Sequence, residues 1–156
     1  MEAIKKFYTL MCDYDAVLER MLKLESSKIR IIASGTSAGL DNCMREEEAE
    51  MLRMRGLDVK REELLKTMHM EGKTIEEIIA TPAAAQIPEL QPLCMRMKER
   101  TRLLKERTKS TSNMLRSRLS VINKVISGNS GAAESYGKDG QQLAGRPLSR
   151  MKPRRI

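Results

Sequence analysis

The side chains that most often carry out chemistry in proteins are few in this chain and lie far apart. One histidine, His69, stands between two methionines, and three cysteines are spread along the chain at Cys12, Cys43 and Cys94. Metal sites and redox sites need such groups at short spacings such as CxxC, and no such spacing occurs. We therefore predict no catalytic residue, no metal site, no cofactor, no small-molecule substrate and no enzymatic activity, and we expect free thiols.

Two short motifs could suggest a phosphate site or a cation site. The run GTSAG at 35–39 is rich in small residues, but it lacks the preceding strand that phosphate-binding loops require. The run EEEAE at 46–50 places carboxylates at consecutive positions, which point in different directions on a helix. We interpret the first as a turn and the second as the solvated start of a helix.

The composition favours helices over sheets. Among 156 residues only 3% are aromatic, whereas 32% are charged and 12 are methionine. This mixture suits helices that meet along narrow apolar stripes, and it suits a sandwich or barrel poorly. No run of eighteen apolar residues occurs, and the start MEAIKK does not resemble a signal peptide. We expect a soluble, cytoplasmic protein.

The apolar residues at the start of the chain recur at alternating spacings of three and four, which predicts a helix over about 3–34. Its stripe consists of Ile4, Phe7, Met11, Tyr14, Leu18 and Met21. Glu25 and Lys28 interrupt the stripe, and the glycines of GTSAG supply a helix end and a turn.

A second helix is predicted over about 41–71, capped by Asp41 or Asn42 and ended by Gly72. Gly56 lies inside this pattern and leaves open a bend, after which Asp58 would cap a new segment. The predicted apolar stripe contains Met44, Met51, Met54, Leu57, Leu64 and Met68.

The sequence TIEE predicts a capping box and a short helix over 74–80. Three prolines follow, and the last long helix is predicted over about 88–127. Threonines occupy several of its stripe positions, which makes this stripe more polar than the first two. Five of the nine glycines fall between 128 and 145, which predicts a flexible, basic C-terminal tail over 128–156.

Together these elements predict an all-α protein. We expect an antiparallel bundle of three long helices and one short helix over 1–127, because the connections between the helices are short. The sequence leaves a homodimer open.

The formal net charge of +8 raises the alternative of a basic helical coiled-coil adaptor that binds nucleic acid or an anionic surface. The charge is unevenly distributed: residues 41–71 hold nine acids and six bases, whereas residues 96–124 hold two acids and ten bases. An acidic and a basic helix can neutralise each other within one chain. Nucleic-acid binding would usually bring stacking aromatic side chains, and these are scarce.

Four segments are similar to a known family, and the two most specific of them are in the last helix and just after it. The chain contains SNMLRSRLSVI at 112–122, with KREELLKTM and TIEEI before it, and SYGKDGQ at 135–141 just after the last helix. In this order the segments resemble the FlgN family of flagellar type III export chaperones, over nearly the whole chain.

The resemblance implies a helical hairpin or bundle without enzymatic activity. Proteins of this family bind the hook-filament junction proteins, that is, the first and third hook-associated proteins, through their C-terminal helical regions. They prevent premature assembly and deliver these clients to the export gate at the membrane.

The resemblance also implies two sets of binding residues. The client would be bound by the last helix, through Asn113, Met114, Leu115, Leu119, Ile122, Val125 and Ile126. The export gate would be contacted by the segment after it, through Tyr136, Gly137, Asp139 and Gly140.

Overall fold

A computed structural model describes residues 2–130, and these residues form helices and turns without any strand. The helices are α1 (Glu2–Ser34), α2 (Leu40–Thr67), α3 (Ile75–Ile79) and α4 (Leu90–Ser130), with a 3-10 turn at Ala84–Gln86. The all-α prediction is confirmed. The predicted tail beyond residue 130, with Tyr136, Gly137, Asp139 and Gly140, lies outside the described residues. The chain divides into two compact units between Met114 and Leu115.

In the first unit, α1 supplies most of the core. The predicted stripe is confirmed from Ile4 to Leu18, whose members are all buried, while Met21 is half-buried. Leu10 and Val17 are buried as well, so the apolar surface of α1 is wider than one stripe. The width follows from the fact that α1 makes contacts with both α2 and α4.

The order of cross-helix contacts gives the direction of α2. Near the middle of α1, the Tyr14 hydroxyl donates a hydrogen bond of 2.7 Å to Asp58. Near its end, the Lys28 ammonium lies 2.7 Å from Glu47. Later residues of α1 thus meet earlier residues of α2, so the two helices are antiparallel.

The first part of α4 runs parallel to α1. Arg96 pairs with Asp15 at 2.7 Å, and fifteen positions further along α4 the Thr111 hydroxyl donates to Glu25 at 2.7 Å. Residue numbers therefore increase in the same direction along α1 and α4. With α2 antiparallel to both, this gives the up-down-up order expected of a bundle with short connections. Four α4 side chains join the core here, namely Leu90, Leu93, Cys94 and Met97.

The stripe that α2 presents to α1 differs from the predicted one. Met44 and Met51 are exposed, whereas Glu50 is buried and Glu47 is half-buried. These two glutamates continue the same helix face as Met54 and Leu57, because the spacings alternate between three and four. Arg20 lies 2.9 Å from Glu50, and Lys28 lies 2.7 Å from Glu47. Ion pairing with α1 therefore holds these glutamates on the inner face, and the prediction for the two methionines was wrong.

The start and the middle of α2 also depart from the prediction. The residue that precedes the helix is Gly39, at φ 84°, and no side chain caps the helix there. Asp41 and Asn42 lie inside the helix, so their predicted capping role was wrong. The helix continues unbroken through Gly56, and Asp58 accepts the Tyr14 hydrogen bond instead of starting a new segment.

The end of α2 comes at Thr67, four residues before the predicted end. His69 adopts the left-handed conformation at φ 54°. The amide of His69 donates to the Lys66 carbonyl at 3.1 Å, and the amide of Met70 donates to the Leu65 carbonyl at 2.9 Å. This pair of bonds is the Schellman motif, with a histidine at the position that glycine usually occupies. Gly72, at φ 75°, turns the chain after the helix has ended.

The capping box of α3 is confirmed. The Thr74 hydroxyl accepts from the Glu77 amide at 3.2 Å, and the Glu77 carboxylate accepts from the Thr74 amide at 2.6 Å. The short helix places Ile78 in the core, only 1% exposed. At the other end of the chain, α4 continues to Ser130, three residues past the predicted end at Ser127. A glycine such as Gly128 costs a helix about 1 kcal/mol relative to alanine and does not by itself end it.

Candidate functional site

The part of α4 that belongs to the second unit is covered with exposed apolar side chains. Between residues 115 and 128 only Arg118 is half-buried, and every other residue is exposed. The exposed side chains include six large apolar ones: Leu115, Leu119, Val121, Ile122, Val125 and Ile126. Contiguous apolar surface of this kind commonly marks a protein-binding site.

The spacing of these residues concentrates them on one side of the helix. Leu115, Leu119, Ile122 and Ile126 follow one another at four, three and four positions, which aligns them along the axis. Val125 adjoins them, and the exposed fractions of Leu119, Ile122 and Val125 are 59%, 52% and 59%. These five residues are called the terminal stripe below.

The two remaining residues of the predicted client site lie at the end of the first unit. Met114 is half-buried, and Asn113 is exposed. The terminal stripe is defined by second-unit residues alone, and the role of Asn113 and Met114 stays a prediction.

The charge beside the terminal stripe is positive. Residues 115–130 contain Arg116, Arg118 and Lys124 and no acidic residue. Arg116 and Lys124 are exposed. A helix that covers the stripe would gain from acidic residues along its flanks, because exposed opposite charges attract modestly and like charges repel.

In the first unit, α4 is instead held to α1 by a buried carboxylate. Glu25 is 1% exposed and lies 2.7 Å from the Lys28 ammonium. It also accepts hydrogen bonds from Thr111 at 2.7 Å and Thr108 at 3.2 Å. Burial alone would raise the pKa of Glu25, but the bonds from Lys28, Thr111 and Thr108 outweigh it, and the pKa is lowered. Glu25 is therefore ionised at neutral pH, and both of its carboxylate oxygens accept hydrogen bonds.

The same cluster reaches α2 through Lys28. This ammonium contacts Glu47 at 2.7 Å as well as Glu25, so it bridges two carboxylates. Burial favours the neutral amine, yet the two carboxylates together raise the pKa of Lys28. One buried network thus ties α1 to both α2 and α4. The sequence signals for it were the charged interruption of the α1 stripe and the threonines of the α4 stripe.

Several arginines of the basic helix are also used inside the first unit. Arg96 and Arg100 both pair with the buried Asp15, at 2.7 and 2.8 Å. Arg107 donates to the Ser26 hydroxyl at 2.6 Å. These three side chains hold α4 against α1, so three of the ten basic residues in 96–124 have an internal structural role.

The groups considered for chemistry are dispersed in the fold. His69 occupies the turn after α2, and the thiols of Cys12, Cys43 and Cys94 are free. Within the described residues, no group of three or more histidine, cysteine or acidic side chains could hold a metal ion. None of the helices in that part of the chain has a segment that is both long and apolar enough to span a bilayer.

Comparison with protein families matches residues 1–144 to the family described as FlgN protein. The chain belongs to the FlgN family. The match covers all four helices of this FlgN-family protein and also the segment from Tyr136 to Gln141. The family consists of flagellar export chaperones and is not known for enzymatic activity. Searches of curated proteins and of solved structures found no match.

Proposed function

We propose that this FlgN-family chain acts in the cytoplasm as an export chaperone that binds its clients through the terminal stripe of α4. The observation that carries the proposal is the run of exposed apolar residues from Leu115 to Ile126. A helix with so much apolar surface in water is suited to an amphipathic partner helix, which would bury that surface.

The energetics suit a reversible complex. Covering roughly half of each of five large apolar side chains contributes about 5 kcal/mol before the cost of association is subtracted. The apolar side chains of the client helix would be buried at the same time and add a similar amount, so the surplus over the association cost is modest, as suits a client that must be released. Flanking contacts from Arg116 and Lys124 would add specificity for acidic residues on the client helix.

The clients that the family resemblance suggests are the first and third hook-associated proteins, bound through their C-terminal helical regions. We further propose that Tyr136, Gly137, Asp139 and Gly140, which lie outside the described residues, contact the export gate at the membrane. Tyr136→Ala should leave the melting temperature and client binding unchanged and should reduce the amount of client secreted by flagellated cells. A drop in melting temperature would instead assign the tyrosine to packing.

The client surface is tested by titrating the full-length chain with each purified hook-associated protein from the same source in a calorimeter. Leu119→Asp and Ile122→Asp place a charge in the terminal stripe and should weaken binding at least about ten-fold. Ser117→Asp is the matched control, because it adds the same charge to an exposed position outside the stripe that is not one helical turn from Arg116 or Lys124. Equal weakening by all three substitutions would contradict an apolar client surface.

A salt titration separates this proposal from the alternative of polyanion binding. Binding to nucleic acid or another polyanion weakens steeply between low and moderate salt. Binding through the terminal stripe should change little, because it depends mainly on apolar contact. A pull-down from flagellated cells of the same source gives a second test. Recovery of nucleic acid without any hook-associated protein in that pull-down would favour the alternative.

A further inference from the structure

An apolar groove opens in the first unit between α1, α2 and α4. Its volume is about 530 Å³. The buried residues Met11, Tyr14 and Leu18 of α1 form the floor, and the walls include Met51 and Met54 of α2 and Met97 of α4. Since Met51 is 45% exposed, the three helices leave part of this apolar surface open to water.

The length of the groove matches a short helix. Along α1 the lining residues extend from Met11 to Met21, which corresponds to about 15 Å at 1.5 Å per residue. That length equals two to three helical turns, so apolar anchors at positions i, i+4 and i+7, which span about 10 Å, fit within the groove.

The lining is unusually rich in methionine. Five of the residues around the groove are methionines: Met11, Met21, Met51, Met54 and Met97. Methionine is unbranched and polarizable, so a surface made from it adapts its shape to the side chains that enter. This property suits an inserted segment with several apolar side chains better than one rigid ligand.

The charged residues at the groove are all basic, namely Arg55, Arg61 and Lys105. Arg61 lies 3.4 Å from Asp58, whereas Arg55 and Lys105 have no ion-pair partner within residues 2–128. We propose that this groove binds an acidic amphipathic helix of a partner protein, with its apolar side chains on the methionines and its carboxylates on Arg55 and Lys105. The groove shares no residue with the terminal stripe, so this proposal does not rest on client binding there.

Charge argues against the two occupants that the chain itself could supply. Residues 131–156 contain six basic and two acidic side chains, so this segment would bring positive charge to a positive rim. A second copy that docked with the same face would likewise oppose two basic rims. An acidic partner helix would instead be attracted to the basic rim of the groove.

The probe for the test is a fluorescently labelled synthetic helix with leucines at i, i+4 and i+7 and glutamates on its other faces. Its polarisation is measured on titration with the full-length chain. A second peptide has lysines in place of the glutamates, and a third has the composition of the first with scattered leucines. We expect saturable binding of the acidic amphipathic peptide alone.

Matched variants locate the binding to the groove. Met51→Asp should weaken binding at least about ten-fold, whereas Met44→Asp, on an exposed methionine of the same helix outside the groove, should not. Lys105→Glu should weaken binding about five-fold, and Lys109→Glu, one turn further along α4, should have no such effect.

Four results would overturn the proposal. The first is the absence of saturable binding, and the second is equal binding of the lysine peptide. The third is equal weakening by the groove variants and their controls. The fourth comes from a photo-crosslinking side chain placed at position 51: crosslinks to residues 131–156 or to a second copy, in place of the acidic peptide, would assign the groove to those occupants.

Discussion

Removal of the Glu25 charge should weaken the first unit, because this buried carboxylate connects α1 with α4 directly and with α2 through Lys28. Glu25→Gln keeps the shape of the side chain and removes its charge. Three charge-assisted hydrogen bonds become weaker, while Lys28 retains Glu47 at 2.7 Å. Breaking a buried pair outright costs about 3–5 kcal/mol, so we expect a loss of about 2 kcal/mol for this partial disruption.

The assay is urea unfolding followed by circular dichroism at several pH values. A loss of about 2 kcal/mol lowers the midpoint by about 1 M urea for a protein of this size. Glu48→Gln is the control, since Glu48 is exposed, has no ion-pair partner in the described part of the chain, and should change stability by less than about 0.5 kcal/mol.

The pH dependence gives an independent check of the cause. The pKa of Glu25 is lower in the folded protein than its ordinary value, so its stabilising contribution is present above the unfolded pKa of about 4.3. That contribution is lost as the pH falls through the folded pKa. The difference between the unmutated protein and Glu25→Gln should therefore shrink in acid. A variant as stable as the original, or a difference that persists in acid, would refute a stabilising role for the charge.

Three further substitutions test other parts of the fold. Thr111→Val removes a donor to the buried carboxylate and should cost about 1.5–3 kcal/mol in urea unfolding, whereas Thr67→Val at an exposed helix position should cost less than about 0.5 kcal/mol. Thr74→Ala removes the cap of α3 and should cost about 1 kcal/mol, with faster hydrogen exchange in that helix; unchanged exchange would argue against the capping role. His69→Gly relieves a left-handed conformation and should raise the unfolding free energy by about 1 kcal/mol, while Lys66→Gly inside the helix should lower it by a similar amount. Equal losses from both glycine substitutions would show that His69 is unstrained.

The contacts between the α4 arginines and α1 also affect how the basic character of the chain should be interpreted. From sequence, Arg96, Arg100 and Arg107 belong to a strongly basic helix, which raised the alternative of a polyanion partner. In the structure they contact Asp15 and Ser26 of α1. The positive charge that remains exposed beside the terminal stripe comes from Arg116 and Lys124, and we expect it to select acidic flanks on a client helix.

The helical class and the α1 stripe could be predicted from sequence because a helix core repeats every three to four residues, a signal contained within the segment itself. The same holds for the α3 capping box, whose two partners are three residues apart. The client residues on α4 were predicted from the resemblance to the FlgN family, and no local pattern in the sequence singled them out as a binding site. Their exposure depends on what packs against their face of the helix, and only the structure shows this.

The sequence by itself thus determined where helices form and which faces of α1 and α4 are apolar. Only the tertiary structure decided that Glu47 and Glu50 take the inner face of α2 while Met44 and Met51 are exposed. It also decided that Glu25 would meet Thr108 and Thr111. The physical reason is that a charged residue is buried without a large penalty only when hydrogen-bond and ion-pair partners surround it, and some of these partners come from other helices. Lys28 is a local partner of Glu25, but the two threonine partners lie 83 and 86 positions away, beyond the reach of any local pattern.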